Sequence, residues 1–259
     1  EREAVRKTRV GLLEGVLLTS WGASQFTAST AALEAPGVCT TYTKLDTARV
    51  ALTPTFEAAF ATGGVKLLGF YDYGARRVFS RRPIVTPEDM RSTRMASPAE
   101  WEQWTSIAVA ASVPRVQCGV AEVAPWLTTG QIDAFPATSL EAVANGWQSS
   151  ATHVTSSSHG LMIGATVLSR AAFGALSSDH QRVLLETAAQ AHTAMRAAVR
   201  RDDEVALTAN IRRGAVRVDT APAEAAWSQV FLAARTRSVG RLFTAELLAQ
   251  VEQHAATVA

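Results

Sequence analysis

Val65-Lys66-Leu67-Leu68-Gly69-Phe70-Tyr71 is a seven-residue, mostly apolar run bounded by Gly63-Gly64 on one side and by the turn-forming cluster Asp72-Tyr73-Gly74 on the other. A run that short, with turn residues at both ends, reads as a buried strand rather than a helix. Arg76–Ser80 beyond the turn reads as a further strand. Upstream, Leu45–Ala61 reads as a helix, with Val50, Phe56 and Phe60 among its apolar positions and Thr53-Pro54 as a kink or restart. Gly15–Ser20 reads as a buried parallel strand whose end opens into the loop Trp21-Gly22-Ala23-Ser24. Strand, helix and strand in this order indicate an α/β protein.

Composition excludes several classes. The 259 residues carry 25 Lys+Arg against 23 Asp+Glu, a formal net charge of +2, so the basic excess expected of a nucleic-acid binder is absent. With 47% apolar and 19% charged residues the chain is too apolar for disorder. Its apolar windows fall far short of the roughly 20 residues of a spanning helix. Cys39 and Cys118 form no C-x-x-C pair. They are read as two isolated buried thiols, with a disulfide as the alternative in an oxidising compartment. The five histidines show no metal-ligand spacing. No G-x-S-x-G, P-loop or G-x-G-x-x-G occurs. No cofactor and no metal is expected.

Downstream, Thr86-Pro87-Glu88-Asp89 is a helix start with Thr as N-cap and acids at the positive dipole end. Thr93–Ala96 is a short strand, and Ser97-Pro98-Ala99-Glu100 reads as a capping box opening a helix to about Ala111. Pro114–Cys118 is strand-like, Glu122–Thr129 a helix ended by Gly130, and Gln131–Pro136 a strand passing into loop. Leu161–Ser169 is another strand. Ser177-Ser178-Asp179 cap a helix in which Val183, Leu184, Ala188, Ala191, Met195 and Val199 share an apolar face, and which extends well past Arg201. No linker or repeat divides the chain, so two lobes would have to be interleaved.

The order of signals from Gly74-Ala75-Arg76, through Arg82-Pro83-Ile84-Val85-Thr86-Pro87-Glu88-Asp89-Met90, Thr93-Arg94-Met95 and Glu122-Val123, to Leu127-Thr128-Thr129-Gly130-Gln131-Ile132-Asp133, resembles one family. It is that of the substrate-binding proteins of tripartite ATP-independent periplasmic (TRAP) transporters, dicarboxylate type. Val167-Leu168-Ser169 to Leu176, and Ser177-Ser178-Asp179-His180-Gln181 with its helix, also fit. The resemblance implies a two-lobed periplasmic-binding-protein-like α/β fold with interleaved lobes, a central cleft and a long spanning helix. Lobe one would be 1–73 plus 163–202, and lobe two 74–162 plus 203–259. Such chains open with a strand–helix–strand unit before the helix that Glu1–Val10 resembles. That unit is missing here, and the expectation is a chain whose opening segment was removed or not included.

Carried over residue by residue, the resemblance points to the cleft. Members that bind organic acids place an arginine just after the segment matching Thr93-Arg94-Met95, where its planar donors fork onto a carboxylate. This sequence has Ala96 there. A second family arginine, in the Gly-x-Arg strand, matches Arg76, and a polar family position matches Phe135. A lost clamp and a gained aromatic imply a less anionic, more apolar ligand, as in a subgroup with an extra helical partner. Trp21, Tyr71, Tyr73, Trp101 and Phe135 follow strand ends or a cap, where open α/β sheets bind ligands. The Ser97 helix start would offer free backbone amides.

Each residue also has a structural reading. Trp104, Ile107 and Trp147 are expected in the core, and Trp101 has both readings. Arg76 has two, a pair with Asp72 or a ligand contact. Arg81-Arg82, Arg200-Arg201 and Arg212-Arg213 are expected as solvated cations, Glu122 and Asp133 as helix braces, and His153 and His159 as exposed rim residues. No nucleophile, metal set or acid–base pair is visible, so no enzymatic activity is expected. The implied function is periplasmic capture of a small, apolar or weakly acidic organic ligand by lobe closure and its delivery to membrane permease subunits. A helical accessory protein and a membrane anchor in the missing segment are further expectations. The alternative is a non-catalytic interaction subunit with a vestigial cleft.

Overall fold

The computed structural model describes residues 1–98 and 101–258. In chain order the helices are α1 (Arg2–Arg9), α2 (Ser20–Ser24), α3 (Tyr42–Ala51), α4 (Thr53–Thr62), α5 (Glu102–Ala110) and α6 (Val123–Thr129). After them come α7 (Ser139–Ala144), α8 (Arg170–Gly174), α9 (Ser178–Arg212), α10 (Glu224–Ser238) and α11 (Ala245–Ala256). The strands are β1 (Gly15–Thr19), β2 (Val65–Ser80), β3 (Met95–Ala96), β4 (Arg115–Val116), β5 (Ala134–Ala137), β6 (His153–Thr155), β7 (Gly160–Ser169) and β8 (Val216–Val218).

The stretch from Val65 to Ser80 is one strand of 16 residues, not two strands and a turn. Asp72-Tyr73-Gly74 is a bulge within it. The β2–β7 register slips between Leu67 and Gly69 and again between Asp72 and Gly74, and the ladder continues through both slips. Turn-type residues therefore mark a bend of the strand, and the flanking β-branched and aromatic residues keep it extended. Residues Val65–Arg76 pair antiparallel with β7, while Arg77–Ser80 pair with β5 and Phe79–Ser80 also with β6. A single strand thus leaves one sheet at Arg76 and enters another at Arg77.

The strand order is β1-β7-β2-β5-β3-β4, with β6 joining β2 to β8. β1 is antiparallel to β7 and lies at the edge among the described residues, with Leu17 49% exposed. The expected buried parallel strand is therefore corrected to a half-exposed antiparallel one. Parallel pairing occurs only at β3–β4, β3–β5 and β6–β8 among the described strands.

Two separate apolar cores form, one per lobe. The first gathers Leu45, Phe56, Phe60, Phe70 and Val167 with Leu247, Leu248 and Val251 of α11. The second gathers Phe79, Trp104, Ile107, Phe135 and Trp147 with Leu207, Trp227 and Phe231. At the C-terminus this differs from the lobe division expected from the resemblance, because α11 packs on the first core. Cys39 is buried in the first core and Cys118 lies half-buried against the second.

Helix α9 runs for 35 residues with Ser177 as its N-cap, the Ser177 hydroxyl accepting from the His180 N–H. Its inward face is not the apolar one the spacing suggests, since Val183 stays 49% exposed and Ala191 is exposed. Polar groups at helical spacing lie along β2 and its neighbour β7 instead. His192 Nε2 is 2.9 Å from Thr166 Oγ1, Arg196 donates to the Phe70 carbonyl at 3.1 Å, and Arg200 meets Asp72 at 2.7 Å. Asp203 accepts the N–H groups of Ala75 (3.1 Å) and Leu140 (2.9 Å). Two glycines permit this approach. Gly69 (φ +156°) and Gly74 (φ +124°) would place a Cβ 2.6 Å from His192 Nδ1 and 2.8 Å from Asp203 Cγ.

Candidate functional site

Because side chains alternate along a strand, Arg76 and Arg77 leave β2 on opposite faces at the point where it changes sheets. Arg76 projects into a cavity of about 500 Å³ between the two cores. The first-core wall includes Trp21, Glu34, Met162 and Leu242, and the second includes Trp101, Gln103 and Glu141, with Tyr73 beside Arg76 on β2. The Gln103 side-chain amide donates to the Ala31 carbonyl at 2.7 Å and links the two walls.

Trp21 reaches the cavity because α2 begins directly at the end of β1. The Thr19 side chain caps α2, and the Glu1 carboxylate accepts both the Thr19 N–H (2.8 Å) and its hydroxyl (2.7 Å). The Arg2 guanidinium lies over the Trp21 ring, 5.3 Å from its centroid. The buried Trp21 Nε1 has no acceptor among the described residues.

Arg76 is buried, yet no carboxylate lies within 4 Å of it among the described residues. The one hydrogen bond its guanidinium makes there runs from Nη2 to the Met162 sulfur. Asp72, the alternative partner, is held by Arg49 and Arg200 instead. Two carboxyl groups flank Arg76 at longer range, one from each lobe. Burial pushes the pKa of Glu34 up, against the pull of Arg76 and of the Ile163 N–H that donates to it at 2.7 Å. Burial likewise raises Glu141, again opposed by Arg76. Five glutamates and two arginines line the cavity among its described residues, so a multiply charged anion would be repelled there.

Of the positions singled out in the sequence, Trp21, Tyr73, Arg76 and Trp101 converge on this cavity. Tyr71, Ala96, Ser97 and Phe135 do not. The Tyr71 hydroxyl donates to the Leu18 carbonyl at 2.9 Å, which fixes the ring over β7. Ala96 is fully buried in the second core. The Ser97 N–H donates to the Val116 carbonyl at 3.0 Å, continuing the β3–β4 ladder, and α5 begins only at Glu102 with Trp101 at its N-cap. Ser97 therefore does not cap that helix, and Ala99-Glu100 of the expected box lie outside the described residues. Phe135 stacks on Phe79 with centroids 5.3 Å apart and meets Trp147 edge-on at 5.4 Å, all within the core.

Further expectations change. Arg200 is not a solvated cation. His159 is buried against Trp104, 5.1 Å between ring centroids, and burial together with Arg76 and Arg77 holds it neutral by lowering its pKa well below the usual range. The glutamates were not foreseen, although Glu34 is the lone charge in Ala31-Ala32-Leu33-Glu34-Ala35-Pro36, and an isolated acid in an apolar stretch signals a built environment. Glu122 does brace a helix start, accepting the Gly119 N–H at 2.6 Å, whereas Asp133 braces no helix and pairs with the Arg94 guanidinium (2.8 Å) between the leads into β5 and β3. No group of acids, histidines and cysteines among the described residues is arranged to hold a metal ion, and none of the described helices is long and apolar enough to cross a membrane.

The family model "Bacterial extracellular solute-binding protein, family 7" matches residues 1–239. A solute-binding protein of Sulfitobacter sp. (strain NAS-14.1) is 24% identical over 170 residues, covering 64% of this chain, and the chain spans half the length of that curated relative. Among solved structures, a TRAP periplasmic solute binding protein from Desulfovibrio salexigens with bound orotic acid superposes with a TM-score of 0.88 at 15% identity. It covers all of this chain and 85% of its own. One from Shewanella oneidensis with bound succinate gives 0.87 at 16% identity, covering 98% and 84%. One from Xanthobacter autotrophicus with bound β-D-galacturonate gives 0.85 at 16%, covering 98% and 84%. These similarities show a shared two-lobed fold.

Proposed function

The chain belongs to the bacterial extracellular solute-binding proteins of family 7, and on that premise we propose that it is the periplasmic solute-capturing component of a TRAP-type transporter. It takes up a small organic ligand by closing its lobes and passes it to membrane permease subunits, without catalysing a reaction. The placement of Arg76 carries this reading. A buried guanidinium without an ion pair among the described residues stands where β2 crosses between sheets, with its free donors turned into the interlobe cavity. Organic acids occupy the neighbouring structures, and Arg76 supplies the matching donor set here.

The surroundings favour a ligand less anionic than a dicarboxylate. Trp21, Tyr73 and Trp101 offer flat apolar surface, and the glutamates around a single buried arginine leave room for one acidic or acceptor group. The ligand class is therefore an aromatic or otherwise apolar monoacid, or a neutral analogue with a strong acceptor. Closure moves the two cores about β2 and α9, the elements that run between them. The helical accessory partner is a further expectation of the apolar-ligand subgroup.

Native mass spectrometry of the protein as purified, followed by denaturing extraction, tests the reading. A co-purifying monoacid or apolar acceptor that rebinds saturably, and whose rebinding is weakened by Arg76→Ala, is the expected result. A dicarboxylate in the cleft would overturn the ligand class. An empty protein that no organic acid or apolar acceptor saturates would leave an interaction subunit with a vestigial cleft.

A further inference from the structure

Arg77 leads to the other face of the molecule. There a second cavity, at about 940 Å³ larger than the cleft, lies between the start of α3 and the loops that follow β6 and β8. β6 and β8 are adjacent parallel strands, and loops at the ends of such strands are where open sheets present ligand-binding groups. The two loops are laced together before any ligand arrives. Thr220 Oγ1 lies 3.0 Å from Ser156 Oγ and 2.7 Å from Ser157 Oγ, and the Thr220 N–H donates to Ser156 Oγ at 3.0 Å.

Three cations converge on this cavity, and none has a carboxylate within 4 Å among the described residues: Lys44, Arg77 and Arg217. Arg77 and Arg217 both donate to the same neutral acceptor, the Ser156 carbonyl, at 2.6 and 3.4 Å. Arg77 is 9% exposed, and its buried Nε–H finds no acceptor among the described residues. Burial lowers its pKa and Arg217 adds to that, while Glu204 and Asp203 act from a distance in the opposite sense. Two guanidinium groups held side by side over one carbonyl repel each other unless a negative charge joins them. The acids at the rim do not supply it. Asp219 turns back to accept the Ala221 N–H at 3.0 Å, and Glu224 sits in the first turn of α10, whose N-terminus has no side-chain cap and also faces the cavity.

We propose that this groove is an oxyanion site, built to take a phosphate- or sulfate-type group between Arg77, Arg217 and Lys44, with the Ser156–Thr220 hydroxyls as further donors. It is separate from the cleft, on the opposite face of β2. Because its walls belong to both lobes, an anion held there pins the lobes' relative position and couples to closure on the other side.

Calorimetric titration with inorganic phosphate at fixed ionic strength tests the site, with vesicles of phosphatidylglycerol against phosphatidylcholine as a second arm. The expected result is saturable phosphate binding, weakened at least about tenfold by Arg217→Gln or Lys44→Gln and unchanged by Arg76→Ala. Both substituted residues are at least partly exposed, so these variants should fold. Binding of phosphatidylglycerol vesicles alone, with the same Arg217→Gln sensitivity, identifies a lipid headgroup as the source of the anion and also supports the site. No binding in either arm overturns the proposal. So does phosphate binding that survives Arg217→Gln, or that depends on Arg76, since the anion would then lie elsewhere or in the cleft.

Discussion

Arg200 of α9 and Asp72 of β2, 128 residues apart in sequence, meet with Nε 2.7 Å from Oδ2. The contact is one edge of a closed ionic cluster. Arg49 Nη1 takes the other Asp72 oxygen at 2.8 Å, both arginines also hold Asp46, and the Arg200 guanidinium stacks 4.3 Å from the Tyr42 ring centroid. It fastens the spanning helix to the strand that joins the two sheets. Removing the fully buried Asp72 charge leaves Arg49 and Arg200 to share the half-exposed Asp46 as their one carboxylate partner among the described residues. Asp72→Ala is expected to lower stability by about 3–5 kcal/mol, measured by urea denaturation. A loss below about 1 kcal/mol would mean that water, not Asp72, balances the arginines.

Gly164 is the position on β7 over which Tyr71 closes. A Cβ there would lie 2.1 Å from Tyr71 Cζ and 2.5 Å from the Leu18 carbonyl oxygen, and the backbone oxygen cannot swing aside. Gly164→Ala should destabilise the fold by at least about 3 kcal/mol, and Tyr71→Phe, which removes the hydroxyl's bond to the Leu18 carbonyl, by about 0.5–1.5 kcal/mol. Tyr71→Phe should bind the cleft ligand as the parent does. Reduced affinity with unchanged stability would return Tyr71 to the site.

The aromatic residues divide by location, so their substitutions should divide by phenotype. Trp21→Ala and Trp101→Ala remove cavity wall, and each is expected to weaken ligand binding by roughly tenfold or more. Phe135→Ala opens a hole beside Phe79 and Trp147 and should instead lower stability by about 3–5 kcal/mol. Parallel calorimetry and thermal melts separate the two outcomes. A stable Phe135→Ala protein with impaired binding contradicts the division.

Glu34 makes stability depend on pH in a defined direction. Burial raises its folded-state pKa above the ordinary 4.5 despite Arg76. The folded state therefore holds this proton more tightly than the unfolded chain. Its contribution is fully present below the unfolded value and is lost as pH rises through the folded one. Glu34→Gln, which cannot ionise, should match the parent at low pH and become progressively more stable than it as pH climbs above about 4.5, levelling off once Glu34 is charged. Melting temperatures of the two proteins from about pH 4 to pH 8 provide the comparison. A difference that is flat with pH, or that shrinks as pH rises, would rule out the raised value.

Much of the local structure was legible in the chain. The Ser177 cap and the length of α9, the restart at Thr53-Pro54 and the Gly130 stop (φ +74°) all follow from rules acting over a few residues. Asp72-Tyr73-Gly74 misled because a turn and a bulge use the same residue types. The ladder to β7 decides between them, and β7 lies about 90 residues further along the chain. Of the expected cleft residues, those placed by the ends of their own elements reached the cavity, as Trp21 and Trp101 did. Those whose side-chain direction depended on a distant partner, Tyr71 on Leu18 and Phe135 on Phe79, went into the core.

The sequence by itself determined the α/β class, the element order and the resemblance to a two-lobed binding fold, because hydrophobic period, caps and breakers are local properties of the chain. Tertiary structure alone decided that Arg76 and Arg77 face two different cavities, that α9 lies on β2 through charged rather than apolar groups, and that Glu34 and Glu141 flank the cleft arginine. Those outcomes depend on which remote segments desolvate one another, and burial with its charge pairing arises only when the chain has closed on itself.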